Sequence, residues 1–255
     1  MDQAKVKASK GHGLLSAIGQ FVIIIGIVLL AKTVAAEAYY VPSGSMQPTL
    51  LIGDELVVTK FSYGYSRYSL PIAIGPSRPE RLFGRLPERG DVVVFRLPRD
   101  PSETYVKRVV GLPGDRVQMR DGRLWINGDM LPVRRDGTGA VEMEDGGSET
   151  AVREIETLPG GREHPIYKFD GIGEFDNTDV VEVPAGHLFV MGDNRDDSAD
   201  SRVPPELGGV GLLPVENLVG RVDVVLGSWD LGVAHNPIWT WPSGLRLSRF
   251  FSRVN

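Results

Sequence analysis

An uncharged apolar run near the N-terminus constrains this chain more than any other feature. Residues 14–31, LLSAIGQFVIIIGIVLLA, pass 18 positions without a charge. As a helix they extend about 27 Å, close to the hydrocarbon thickness of a bilayer. Lys5, Lys7 and Lys10 precede the run against one acid, Asp2. The positive-inside rule therefore keeps the first residues cytoplasmic and sends the rest to the outer side. Lys32 can snorkel, and TVAA carries the apolar character to Ala36. The expectation is a cytoplasmic N-terminus (1–13) and a single membrane anchor (14–36). A cleaved leader competes with it, because Ala36-Glu37-Ala38 looks like a small-x-small cleavage site. Against the leader, the run exceeds the roughly 7–15 apolar residues of a leader core. A buried core helix is disfavoured, since nothing around the run is amphipathic.

Beyond the anchor, short β-branched runs alternate with turn signals. Segments 54–61, 91–97, 104–110, 115–119, 123–128, 187–193 and 220–229 read as strands. GLPGD (111–115) reads as a turn and Asp121-Gly122 as a hairpin. The acidic, Gly-rich stretch 136–150 reads as an exposed loop. The tail (230–255) carries Trp239, Trp241, Phe250 and Phe251 with Arg246, Arg249 and Arg253. That mixture suits either a membrane interface or aromatic packing on the domain, and segment 61–75 has the same ambiguity.

Composition narrows the chemistry. With no cysteine, disulfides, thiol nucleophiles and Cys-ligated zinc are excluded together. A net charge of −5 gives no basic field for nucleic acid. His12, His164, His187 and His235 are not spaced as metal pairs, so neither metal nor cofactor is expected. Only His187 falls in a segment read as a strand.

Three segments could carry chemistry. PSGSMQPTL (42–50) is a stiff turn with Ser43 and Ser45 flanking a glycine. A serine on such a turn aims its hydroxyl and its own N–H at one point, which serves a nucleophile with an oxyanion donor. A plain linker is the alternative. In TYVKRVV, strand alternation puts Tyr105, Lys107 and Val109 on one face and Val106, Arg108 and Val110 on the other. If Lys107 is buried, its pKa falls. Reaching about 8 takes about 3 kcal/mol, after which the amine can act as a general base. A solvated lysine is the alternative. MGDNRDDSADSR (191–202) lacks the glycine and glutamate of a calcium loop, and its arginines would repel a cation. Asp200 and Arg202 can pair there, and Ser198 can bond a nearby base.

Together these segments resemble the type I signal peptidase family. PSGSMQPTL (42–50), RGDVVVFRLP (89–98), YVKRVVGLPGD (105–115) and GDNRDDSADSR (192–202) follow its motifs in order behind an N-terminal anchor. Asp197 departs from them, since the family often has Asn there, and the family often has more than one span. The resemblance implies a mainly β protein: a single N-terminal transmembrane helix, then a β-rich catalytic core (37–115 and 186–229) with a smaller β insertion (116–185). It implies Ser45 as nucleophile, Lys107 as general base, and Ser43 with the Ser45 N–H as oxyanion hole. Ser198 would orient the lysine, with Asp200 and Arg202 as further support. Met46, Ile52 and Val106 are the candidates for substrate-binding pockets. The implied partners are secretory pre-proteins, membrane lipid and, as a further candidate, the protein translocase. The implied location is a bacterial inner (plasma) membrane, single-pass, with the catalytic region on the outer side. Ser45 follows the anchor by an extended reach of at most about 30 Å, which keeps it near the membrane surface. A peptidase dedicated to one substrate and a catalytically dead adaptor are the rival readings. Self-cleavage after Ala38 is a further expectation.

Overall fold

A computed structural model of the chain describes residues 16–28, 35–69, 81–143, 147–230, 232–233 and 238–254. Residues 16–28 form a helix whose side chains are all exposed. No described helix is long and apolar enough to cross a membrane. Residues 14, 15 and 29–34 of the apolar run lie outside the described residues.

Fifteen strands follow: β1 (Ala36–Tyr40), β2 (Asp54–Thr59), β3 (Val92–Leu97), β4 (Asp100–Gly111), β5 (Arg116–Arg120), β6 (Arg123–Ile126), β7 (Asp129–Met130), β8 (Val133–Glu142), β9 (Ser148–Thr157), β10 (Glu163–Lys168), β11 (Val181–Glu182), β12 (His187–Met191), β13 (Leu213–Pro214), β14 (Leu218–Ser228) and β15 (Ser252–Arg253). Among the described residues the fold is thus mainly β, with one α-helix near the N-terminus.

The largest sheet has the order β1-β2-β14-β3-β4-β12-β13, with β15 added beside β14. Its strands come from both ends of the chain. Between them, β5, β6, β7 and β11 make a four-stranded sheet, and β8, β9 and β10 a three-stranded one. At β3 the large sheet is buried on both faces. Val92 and Val94 enter one core cluster with Met46, Leu56 and Val222. Val93 and Phe95 enter another with Val109, Leu188 and Val190. That double burial is why VVVF is a continuous apolar run rather than an alternating one. A third cluster, including Val110, Met119, Leu124, Leu158 and Phe189, welds the four-stranded sheet to the core strands.

Several expectations need correcting. The apolar stretch does not reach Ala36 as helix, because Ala36 opens β1 and pairs with Thr59. Ala36-Glu37-Ala38 lies wholly within β1, in register with residues 57–59 of β2, and Glu37 takes an ion pair from Lys60 at 2.8 Å. Self-cleavage there would first have to strip this strand from the sheet. The stretch 136–150 is not a loop: it holds most of β8 and the start of β9, in register from Val133↔Glu156 to Glu142↔Ser148. Most of β8 is exposed on both faces, so no burial alternation marks it. His164, like His187, lies in a strand.

The tail is tied to the rest of the chain by its arginines. Arg249 bonds the Asp54 carboxylate and the Thr49 carbonyl, while Arg246 bonds Glu142. Trp239, Leu247 and Phe251 are exposed instead. The Trp241 side chain and residues 70–75 of segment 61–75 lie outside the described residues.

Candidate active site

Ser45 sits in the turn between β1 and β2. The turn closes on itself through Gln47 N–H to the Gly44 carbonyl (3.0 Å) and Leu50 N–H to the Met46 carbonyl (2.9 Å). It is also held from outside. Asn194 donates its N–H to the Ser45 carbonyl at 3.1 Å and its side-chain Nδ2 to the Gly44 carbonyl at 3.3 Å. These bonds fix the peptide groups around Ser45 and leave its hydroxyl to point elsewhere.

That hydroxyl meets Lys107. Lys107 Nζ lies 2.7 Å from Ser45 Oγ and 3.1 Å from the Val106 carbonyl. Lys107 comes from β4, is 3% exposed, and holds its ammonium position 5.4 Å from the Tyr105 ring centre. Burial lowers its pKa to about 8, against the opposing pull of Asp200, Asp193 and Asp197. Desolvation favours the neutral amine, and only the neutral amine has a lone pair to accept a hydroxyl proton.

Both residues line a cavity of about 400 Å³ with Tyr39, Tyr40, Pro42, Ser43, Leu56, Val94, Tyr105, Val106, Asp197 and Ala199. Ser43 and Val106 therefore both line the groove. Met46 and Ile52 do not. The residue after Ser45 turns inward, and Met46 is fully buried in the core cluster with Leu50 and Val58. Ile52 is half-buried and contributes its carbonyl to Arg246.

The 192–202 loop packs behind the turn. Burial pushes the Asp200 carboxyl up. Arg202 and the N–H groups of Gly192 and Arg202 outweigh that and hold it below its ordinary value. The Arg202 guanidinium binds it through Nε at 2.9 Å and Nη2 at 2.8 Å. Ser198 is placed differently from its expected role. Its buried Oγ has no hydrogen-bond partner, so it does not orient Lys107 through a bond. It lies against Gly192, where an added Cβ would meet Ser198 Oγ and stand 2.5 Å from the Ser45 carbonyl. His187, the alternative base, starts β12 with Nδ1 3.2 Å from the Ala185 carbonyl, and is not among the groove-lining residues. Among the described residues, no three His, Asp or Glu side chains are grouped to hold a metal.

Sequence reading misses a buried ionic layer behind Lys107. The Arg108 guanidinium bonds Asp193 through Nε and Nη2, both at 2.8 Å, and the Gly90 carbonyl at 2.7 Å. Thr49 donates to the same carboxylate. Arg195 pairs with Glu156 of β9, and Arg202 Nη2 bonds the Arg195 carbonyl at 2.6 Å. His164 of β10 lies 3.5 Å from Glu156 and 3.8 Å from Asp193. The one available signal was an aspartate two residues after the apolar strand HLFVM, with an arginine next to the lysine in TYVKRVV.

His164 gives this layer a pH dependence. Burial first, then the Arg108 charge, lowers its pKa from 6.5 to about 4, so the imidazole is neutral in the fold. An unfolded chain takes up that proton below about 6.5. The stability His164 contributes is therefore complete above pH 6.5 and is lost as pH falls from there towards 4. Between pH 7 and 4.5, wild type should lose about 2–3 kcal/mol more unfolding free energy than His164→Leu. Parallel pH curves for the two proteins in chemical denaturation would contradict this.

A hydroxyl bonded to a buried amine, at the floor of a largely apolar groove, is an arrangement suited to peptidase chemistry. Comparison with known proteins carries this to a family. The family described as "Signal peptidase, peptidase S26" matches residues 14–229. A signal peptidase I of Rickettsia massiliae is 40% identical, over 92% of this chain and 91% of its own length. One from Rickettsia conorii is 39% identical over the same shares. A solved signal peptidase I from Enterococcus faecalis aligns with 54% of this chain and 97% of its own, at 26% identity and a TM-score of 0.31. The chain belongs to the signal peptidase family, peptidase S26. Membership makes it a serine peptidase that acts on secretory pre-proteins to remove their signal peptides.

Proposed function

We propose that this chain is a membrane-anchored serine endopeptidase that cuts pre-proteins after small-x-small sites, using Ser45 and Lys107. The observation that carries this reading is the 2.7 Å separation of Lys107 Nζ and Ser45 Oγ in the groove. Neutral Lys107 takes the Ser45 proton as Oγ attacks the scissile carbonyl. The oxyanion receives the Ser45 N–H and the Ser43 hydroxyl. The Lys107 ammonium then protonates the departing amine, and water activated through the same lysine releases the acyl group. Leu56, Val94, Tyr105 and Val106 give the groove walls that favour small apolar residues on the cleaved side. Asp200 and Arg202 hold the supporting loop, within which Ser198 packs against Gly192.

The uncharged run 14–31 behind three lysines supports anchorage with the catalytic region outside the bacterial plasma membrane. Lipid, and the translocase that delivers substrates, are the partners this implies. The test is cleavage of a detergent-solubilised pre-protein bearing an Ala-x-Ala site. Wild type should release the mature chain with its new N-terminus directly after the second alanine, read by mass. Ser45→Ala should release none; equal cutting by Ser45→Ala would overturn the assignment.

A further inference from the structure

We propose that Gln47 is a positioning residue whose buried amide fastens the Ser45 turn to β8, making the inserted three-stranded sheet part of the frame that aims Ser45. Gln47 is fully buried. Its Nε2 donates to the Glu142 carbonyl at 2.8 Å, and its Oε1 accepts the Glu142 N–H at 3.0 Å. The two bonds use the donor and acceptor of one amide against the donor and acceptor of one residue. β8 is an edge strand, paired only with β9 in its sheet. The Gln47 side chain thus takes the place that a peptide group of a further strand would occupy.

The link bears directly on Ser45. A Cβ at Gly44 would stand 2.6 Å from Gln47 Nε2, so the amide passes over the residue immediately before Ser45. The Gly44 carbonyl takes the Gln47 N–H and Asn194 Nδ2. The turn is therefore held by the 192–202 loop through Asn194 and by the insertion through Gln47. Glu142 is fixed in its turn, since Arg246 bonds its carboxylate at 2.7 Å and the Ile52 carbonyl at 2.8 Å. Gln47 does not line the groove. Its influence on the reaction must then pass through the placement of Ser45.

The proposal rests on Ser45 being the nucleophile. A nucleophile displaced by about 1 Å loses rate on the order of 10²-fold. The test compares full-length wild type, Gln47→Met and Gln47→Glu in detergent, on the Ala-x-Ala pre-protein, with Ser45→Ala in parallel. Met keeps the length and loses both bonds. Glu keeps the acceptor and loses the donor. The expected result for Gln47→Met is a kcat about 10- to 100-fold lower, KM within about 2-fold of wild type, and an unchanged pH midpoint. Amide exchange at Glu142 should quicken in the same variant. Gln47→Glu should fall between the two proteins, and it decides by the same readings if Gln47→Met does not fold. Wild-type kcat together with faster exchange at Glu142 would overturn the positioning role. Unchanged exchange would overturn the link itself. Cutting by Ser45→Ala would instead strike at the nucleophile assignment, leaving the exchange result to stand alone.

Discussion

Lys107→Met should lower kcat by about 10³- to 10⁴-fold while leaving the protein at least as stable as wild type at pH 7. The rate loss follows from removing the base 2.7 Å from Ser45 Oγ. The stability follows from burial. With a folded pKa of about 8 against an ordinary 10.5, the buried amine disfavours the fold whenever it carries a proton. That unfavourable contribution is present below pH 8 and relieved as pH rises towards 10.5; methionine never has it. Lys107→Arg should be as inactive as Lys107→Met, because a guanidinium stays protonated. Wild-type kcat/KM should climb about tenfold per pH unit below 8 and level off above it. Cleavage assays across pH 6–10, with thermal unfolding of each variant, check all of this. A Lys107→Met protein that cuts at near wild-type rate would show that another base serves Ser45.

The second large effect falls on folding. Asp193→Ala should cost about 3–5 kcal/mol, a sizeable part of the 5–15 kcal/mol that holds a typical domain. Asp193 is fully buried. It accepts two bonds from Arg108 and one from Thr49, and Arg108 is itself fully buried. Deleting the carboxylate leaves the guanidinium charge in the interior without its counter-ion. Replacing both partners with apolar residues (Arg108→Met with Asp193→Leu) should recover much of the loss, because the desolvated charge is removed as well. Denaturant unfolding of wild type and the two variants checks the order: wild type most stable, Asp193→Ala least. A double variant no more stable than Asp193→Ala would contradict this account of the pair.

What could be read from the residues depended on burial. β3, β4, β12 and β14 carry β-branched runs that pack on both sides, and their composition announces them. β8 and β9 also pair antiparallel over most of their length, yet β8 is largely solvated, and its glycines and acids look like loop. β1 was hidden by its junction with the apolar run, since AEAYY has little strand character until β2 supplies the partner. At the site, the motif order singled out Ser45 and Lys107, and the structure places them in hydrogen-bond contact. Neighbours were less legible. Met46 follows Ser45 in a tight turn, and so faces the core rather than the groove. The pairs Arg108–Asp193, Arg195–Glu156 and Gln47–Glu142 join residues 85, 39 and 95 positions apart. One sequence carries no record of such pairings, since each partner alone reads as a solvated polar residue.

The placement of β14 sets an order of events during synthesis. Residues 218–228 lie between β2 and β3, and β2 leads back to Ser45 while β3 turns directly into the strand of Lys107. The ribosome therefore delivers the two residues on separate hairpins, long before the strand that seats those hairpins side by side. Non-local sheet closure of this kind is slow and late. A nascent chain halted before residue 218 contains both groups and the loop that holds the Ser45 turn, but lacks the strand that joins β2 to β3. The contact between Ser45 and Lys107 therefore depends on a strand far from both of them along the chain.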